Sequence, residues 1–336
     1  MKILFNPLMP TGIKNPDFVS DYQSDMVFHG LVKTLGLDLH TNFYMWWHHS
    51  KEKQEQPEVF KRIWGKGFTM YGLLEPDEYI RKQQVGIYDY DAIVIPIHHS
   101  MNRKDDELMR LISFVKHCGY EKKQIIVIDG WDRPYINKDA ANLCTYYKRE
   151  LTEEYQNFAK PISFAFPKEK IPEIDDTKRE KAFAPLIPVN QSIDPSYMST
   201  YVYEEEQEYY DMYKTCYFAY TSKKGGWDTL RHYEIIANGA VPFFVDIESC
   251  PDKTLWNIPK HLLIRAKKEL GGIPNLKEGT WKNQTLEHCG CIDIDNPGTL
   301  KDFDLKLWQA FRGTFYSWLK NENSTESLAE YILGEI

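Results

Sequence analysis

The chain has 336 residues, 41 Lys+Arg against 49 Asp+Glu for a formal charge of −8, and 42% apolar positions. That length allows two packed domains. The acidic balance argues against a dedicated nucleic-acid binder, which needs clustered cations for phosphates, and no apolar run approaches the roughly 18 residues of a membrane span.

Six cysteines in so long a chain make no dense disulfide framework. Met1–Phe5 is broken by Asn6-Pro7 before a signal peptide's apolar region can form. Both features point to a cytoplasmic protein with reduced thiols. Aromatic residues reach 14%, more than a core of this size needs. Some rings are therefore expected to face a ligand, and sugars present C–H faces that stack on rings.

Lys2–Phe5 reads as a first strand. A helix is expected over Asp21–Leu35, with Met26, Val27, Leu31 and Leu35 on one side. Ala92–Ile97 and Gln124–Ile128 are near-continuous apolar runs, the pattern of strands buried on both faces. Helices are expected at Asp105–Cys118 and Asp139–Leu151, and the alternation predicts a parallel, doubly wound α/β sheet. The charged run Lys168–Lys181 lacks periodicity and reads as a surface linker.

Beyond it the pattern restarts with a helix at Tyr203–Lys214, whose Glu204–Glu208 run reads as a wet face. A strand at Cys216–Tyr220, a helix at Trp227–Asn238 and strands at Val241–Val245 and Leu262–Arg265 complete a smaller α/β unit. Thr299–Leu319 carries Leu300, Phe303, Leu307, Phe311, Phe315 and Trp318 at spacings of three and four. So wide an aromatic face needs more surface than the second unit offers, so this helix is expected to cross both. The division is 1–185, 186–298 and 299–336.

The turn Ser222-Lys223-Lys224-Gly225-Gly226 is small, flexible and cationic, and the helix after it aims its first amides back at it. Such a turn can cradle phosphate. Trp227, Arg231 and Glu234 share a helix face, so a cation for diphosphate and a carboxylate for ribose hydroxyls project into one crevice. Asp228 joins them in the first turn, and Asn238-Gly239 supplies the helix stop. The plainer reading is a surface ion pair and a C-cap.

In order, Arg231-His-Tyr-Glu234-Ile-Ile-Ala-Asn238-Gly-Ala-Val-Pro242 resembles the donor-site segment of GT-B glycosyltransferases, particularly the exostosin-like group. There an Arg-x-x-Glu helix precedes a small-Gly-x-x-Pro turn and a buried strand. The resemblance covers residues 215–251. It implies two Rossmann-like domains facing across a cleft, with a C-terminal helix crossing back to the first. It also implies a nucleotide-sugar donor, such as a UDP- or GDP-sugar, held by Lys223, Lys224, Gly225, Gly226, Trp227, Asp228, Arg231, Glu234 and Asn238. Glu234 would then lie near the ribose and Lys224 and Arg231 near the diphosphate, with a saccharide or glycan as acceptor. Many retaining members place a second glutamate eight positions before the Glu234 equivalent. Here that position is Gly226, so retention is not supported.

No metal is expected, because Lys223, Lys224, Arg231 and helix amides suffice to stabilise a departing diphosphate. Asp293-Ile294-Asp295 has a chelating spacing but lies in a region read as peripheral. Adjacent His48 and His49 point apart, and His288-Cys289-Gly290-Cys291 lacks a second ligand pair. Ligands of open α/β sheets bind beyond the strands' carboxyl ends. His98-His99 and Asp129-Gly130-Trp131-Asp132 follow such ends, and Asp25 and His29 lie one turn apart on the first helix. Asp129, His98, His29 and Asp25 are therefore the candidates for the general base, against a plainer reading as caps and solvated histidines. Lys148-Arg149-Glu150-Leu151 and Pro161–Pro167 carry no assigned role. The alternative is a noncatalytic nucleotide- or carbohydrate-binding protein of the same fold. A dinucleotide oxidoreductase is disfavoured, since Asn6–Gly12 lacks Gly-x-Gly-x-x-Gly.

Overall fold

The computed structural model describes residues 1–8, 20–75, 77–81, 86–98, 105–174, 179–184, 203–244, 246–270 and 304–336. His99, Val245, the 288–291 and 293–295 motifs, residues 299–303 and the expected boundaries at 185/186 and 298/299 lie outside the described residues. Seven strands build the larger sheet: β1 (Ile3–Phe5), β2 (Leu39–Thr41), β3 (Ile80–Arg81), β4 (Ala92–Ile97), β5 (Ile125–Asp129), β6 (Thr145–Lys148) and β7 (Lys160–Pro161). Their order is β3-β2-β1-β4-β5-β6-β7, and every pair is parallel. The order reverses between β1 and β4, as in doubly wound sheets.

Alternation along these strands feeds two layers. Ile3, Phe5, Val94, Ile126 and Ile128 pack with α1 (Tyr22–Leu35) through Met26, Val27 and Leu31. Leu4, Ile93, Ile95, Ile125 and Val127 pack with α4 (Asp105–His117) through Leu108, Ile112 and Val115. Between these helices lie α2 (Ser50–Glu55) and α3 (Pro57–Phe60), and α5 (Lys138–Leu143) precedes β6. Asp21 caps α1, its Oδ1 accepting the Ser24 N–H.

A second parallel sheet has the order β10-β9-β8, with β8 (Lys181–Phe183), β9 (Cys216–Thr221) and β10 (Val241–Phe244). Its helices are α6 (Glu206–Lys214), α7 (Leu230–Ala237) and α8 (Lys260–Glu269). Then come α9 (Leu305–Glu322) and α10 (Thr325–Leu333). The aromatic helix α9 packs on α7, α8 and β10. Trp308 Nε1 donates to Tyr217 O at 3.0 Å, and Trp318 stacks on Tyr233. From α9 the Tyr316 hydroxyl reaches back to Pro172 O at 2.7 Å, but it is α10 that returns to the first sheet and packs along α1. The chain bends at Asn323, whose carbonyl accepts the Phe166 N–H at 3.0 Å while Thr325 N–H donates to Phe166 O at 3.2 Å. Among the described residues, no helix is long and apolar enough to cross a membrane.

Three expectations need correction. Leu262–Arg265 is helical, inside α8, because its apolar run is followed by buried Ala266 three residues after buried Leu263, and so short a run has no period of its own. The helix expected over Asp139–Leu151 ends at Leu143, and β-favouring Thr145, Tyr146 and Tyr147 form β6 instead. The run read as a linker is anchored: Glu169 pairs with Lys33, Lys170 with Glu206, and buried Arg179 donates to Tyr213 O at 3.2 Å.

Gly30 sets how closely α1 and α10 approach, since a Cβ there would lie 1.9 Å from Thr325 O. Gly313 in α9 is exposed, and a Cβ there meets nothing within 4 Å. We expect Gly30→Ala to destabilise by about 1–3 kcal/mol through overpacking and Gly313→Ala to stabilise by about 0.5–1 kcal/mol through helix propensity. Denaturant titration of the pair measures both, and equal effects would contradict the close α1–α10 contact.

Candidate functional site

Loops at the carboxyl ends of both sheets meet at a cleft of about 230 Å³. Tyr22, Trp64, Asp132, Arg149 and Phe164 line it from the first sheet, and Lys224, Gly225, Gly226, Asp228, Arg231 and Glu234 from the second. A further hollow of about 290 Å³ shares the first set and extends along Gln23, Gly130 and Trp131.

The wall common to both is organised by Arg149 and Glu150, which follow β6. Arg149 Nε and Nη2 donate to Gly130 O at 3.0 and 2.8 Å, and Nη1 donates to Glu150 Oε1 at 3.3 Å. Nη1 and Nη2 also donate to Asp228 O and Asp132 Oδ1, and the guanidinium lies 4.5 Å over the Phe164 ring. Burial opposes its charge, but Glu150, Asp132 and Asp228 outweigh burial and hold its pKa above the usual value. Glu150 crosses to the second sheet's loop, where its oxygens accept the N–H groups of Trp227 and Asp228 at 3.0 and 3.2 Å.

These contacts revise the anion cradle. The amides expected to face phosphate are bound by the chain's own carboxylate, and α7 starts at Leu230 rather than at Trp227. The glycines allow close approach: a Cβ on Gly225 would lie 2.3 Å from Asp132 Oδ2, and one on Gly226 would lie 2.5 Å from Glu150 Oε1, so those carboxylates would have to move. His232 fixes the same turn. Burial pushes its pKa down to about 3. Because Trp227 O can only accept, Nε2 donates to it at 2.8 Å and Nδ1 accepts from the Thr221 hydroxyl at 2.7 Å.

Asp228 is buried, with Oδ1 accepting from the Tyr233 hydroxyl at 2.8 Å and Oδ2 from the Phe164 N–H at 2.7 Å. Burial drives its pKa up to about 7 despite Arg149. Lys224 is pushed down to about 8, first by burial and then by Arg231, with Glu234 opposing. Glu234, raised by burial, accepts from the Thr69 hydroxyl and the Tyr209 hydroxyl, each at 2.7 Å.

Thr69 belongs to a loop of unusual geometry: Gly65, Lys66, Gly67 and Thr69 have φ of 66°, 58°, 69° and 64°. A branched residue in the left-handed region costs on the order of 1–3 kcal/mol and clusters at functional sites. Contacts with the second sheet's elements hold the loop. Thr69 N–H donates to Glu206 Oε1 at 2.6 Å, and Lys66 Nζ donates to Tyr203 O and Glu204 Oε1 at 2.8 and 2.7 Å. Glu206 also accepts from Lys170 at 2.9 Å, so it is a contact within a run whose other members, Glu204, Glu205, Gln207 and Glu208, are exposed as a wet face.

The remaining predicted residues sit elsewhere. Asp129 accepts from Lys148, Tyr146 and the Trp131 N–H at 2.7–3.0 Å. Asp25 is enclosed by Trp47, His48, Tyr71 and the Asp21 N–H. His29 lies against Thr325 at 2.9 Å, and His98 is buried where β4 ends, its N–H on Leu8 O. None of the four lines the cleft. Trp227 packs against Phe244 under the Lys223 ammonium, and the Lys223 N–H donates to Asp246. Asn238 caps the opposite end of α7, donating to Glu234 O at 2.9 Å, beside a separate small hollow.

The structure thus gathers Lys224, Gly225, Gly226, Asp228, Arg231 and Glu234. It adds Asp132, Arg149, Glu150 and Thr69, which the sequence reading left without a role. The available signal was Lys148-Arg149-Glu150, three charges directly after an aromatic strand. No protein-family model, curated protein or solved structure matches this chain.

The folded chain holds the Asp228 proton up to about pH 7, whereas an unfolded aspartate releases it near 4. Stability attributable to this group therefore falls as pH rises from about 4 to 7. In Asp228→Asn the amide oxygen can take the Phe164 N–H and the NH₂ can face the Tyr233 hydroxyl. We expect the variant's Tm, measured by calorimetry, to gain on wild type between pH 5 and 8, at ~2–4 °C per kcal/mol. A gap independent of pH would show that the carboxyl is ionised throughout.

Proposed function

We propose that this chain is a metal-independent glycosyltransferase of GT-B-like arrangement, moving a sugar from a nucleotide-sugar donor to a hydroxyl of a saccharide or glycan. The observation that carries this reading is the pairing across one cleft of Lys224, Arg231 and Glu234 with Asp132. The resemblance of residues 215–251 to exostosin-like donor segments supports it. Lys224 and Arg231 supply the charge that a departing diphosphate needs in a partly dry site. Glu234 already accepts two hydroxyls, and a ribose diol would offer it the same chemistry.

Asp132 is the proton acceptor in this reading, in place of Asp129, His98, His29 and Asp25. It lines both hollows, its side chain is 52% exposed, and it accepts a hydrogen bond from Arg149. The acceptor hydroxyl gives its proton to Asp132 as its oxygen bonds to the anomeric carbon. The carbon–oxygen bond to the diphosphate breaks, and the electron pair leaves with the diphosphate. With Gly226 where retaining relatives carry glutamate, a single displacement with inversion is the step proposed.

Two outcomes test this. UDP or GDP affinity, measured by calorimetry, should fall about 10- to 100-fold between pH 7 and 9.5 as Lys224 loses its proton near 8, the loss of one charged hydrogen bond. The terminal phosphate, with its pKa near 6, does not titrate there. Lys224→Met should bind weakly with a flat pH profile; a wild-type profile that is already flat would remove Lys224 from the diphosphate site. Asp132→Asn should leave diphosphate affinity intact and cut transfer by about 10²–10⁴-fold. Wild-type binding without release of nucleoside diphosphate from any nucleotide sugar would favour the noncatalytic alternative.

A further inference from the structure

The hollow beyond Asp132 differs chemically from the cleft it joins. Arg149 is the one cation among the described residues that line it, and all five of its N–H groups are committed, to Gly130 O twice and to Glu150, Asp228 O and Asp132. Arg149 therefore has no N–H left for a phosphate, and the carboxylates of Asp21 and Asp132 repel one.

What the hollow offers instead is aromatic surface and hydrogen-bond acceptors. Trp64 is 59% exposed. Trp131 is half-buried, with the Arg133 guanidinium 5.4 Å from its ring centre. Gln23 is only 1% exposed, and its Nε2 donates to Ser163 O at 3.4 Å. Among the described residues its Oε1 is buried with no hydrogen-bond partner, and an unmet buried acceptor costs on the order of 1–3 kcal/mol. A ligand rich in hydroxyls meets all of these features. Its hydroxyls donate to Gln23 and Asp132, and its C–H faces lie against indole rings.

We propose that this hollow binds a neutral saccharide, seated against Trp131 and Gln23 with one hydroxyl directed at Asp132. The assignment rests on the glycosyltransferase reading only for the identity of that hydroxyl as the reacting one. The binding chemistry stands apart from it.

The test uses the full chain with maltose, lactose, cellobiose and chitobiose as probes and inorganic phosphate as comparator. Saturation-transfer NMR and calorimetry are read with and without UDP or GDP. At least one disaccharide should bind. Trp131→Ala should weaken it about tenfold and Trp131→Phe should restore most of that loss. Gln23→Leu should weaken it severalfold, and all three variants should remain folded and retain the wild-type diphosphate affinity. Absence of disaccharide binding to the folded chain, or binding unchanged in both Trp131→Ala and Gln23→Leu, overturns the proposal. Preferential binding of phosphate that Trp131→Ala abolishes overturns it as well. Disaccharide binding that responds to these variants in a chain indifferent to UDP and GDP supports the hollow and removes the donor reading instead.

Discussion

The carboxylate of Glu150, carried by the strand end of one sheet and bound to two backbone amides of the other sheet's loop, is the contact on which the cleft's form depends. A buried carboxylate must be paired and hydrogen-bonded, and Arg149 beside it supplies the pairing while also reaching Asp228 O. Several features follow from this junction. The glycines at 225 and 226 in the turn before α7 let two carboxylates lie where side chains would begin. The helix starts late, because its expected first amides are already engaged. Asp228 is carried into an apolar enclosure and raised towards neutrality.

The strained loop makes a second connection on the other side of the cleft. Thr69 delivers its hydroxyl to Glu234 and its amide to Glu206, so the first sheet's chain touches both ends of the second sheet's polar wall. With Glu150 fixing the turn and Thr69 fixing Glu234, the second sheet's charged groups are set by residues from the first. Lys224 and Arg231 lie between these two points, and the depressed pKa of Lys224 reflects how closely they are enclosed.

How much of this was legible follows from where the information resides. β4, β5, α1 and α4 were readable because burial on two faces, or on one helical stripe, imprints a period on a single segment. β6 was not, since Thr145–Lys148 is short and runs directly into charges. In the site, Arg231 and Glu234 were visible as a pair one turn apart, but the partners of the 225–228 turn lie 77 to 79 positions earlier. No local pattern encodes that approach. Asp25 and Asp129 illustrate the converse: an acidic residue among histidines and aromatics reads alike in sequence whether it faces a cleft or closes a buried network. Only the Trp47, His48 and Tyr71 contacts to Asp25 distinguish the two cases.

The seam between α1 and α10 bears on how the chain is made. Residue 35 ends α1 and residue 325 begins α10, and at ribosomal speeds of about 5–20 residues per second the second helix follows the first by roughly 15–60 s. Once β7 has followed at residue 161 the first sheet's strands have all been made, yet the strip of α1 around Gly30 still lacks the helix that covers it. The early half is thus exposed to nascent-chain chaperones and to misassociation until α10 has been made, and the α1 seam is sealed only when that helix docks.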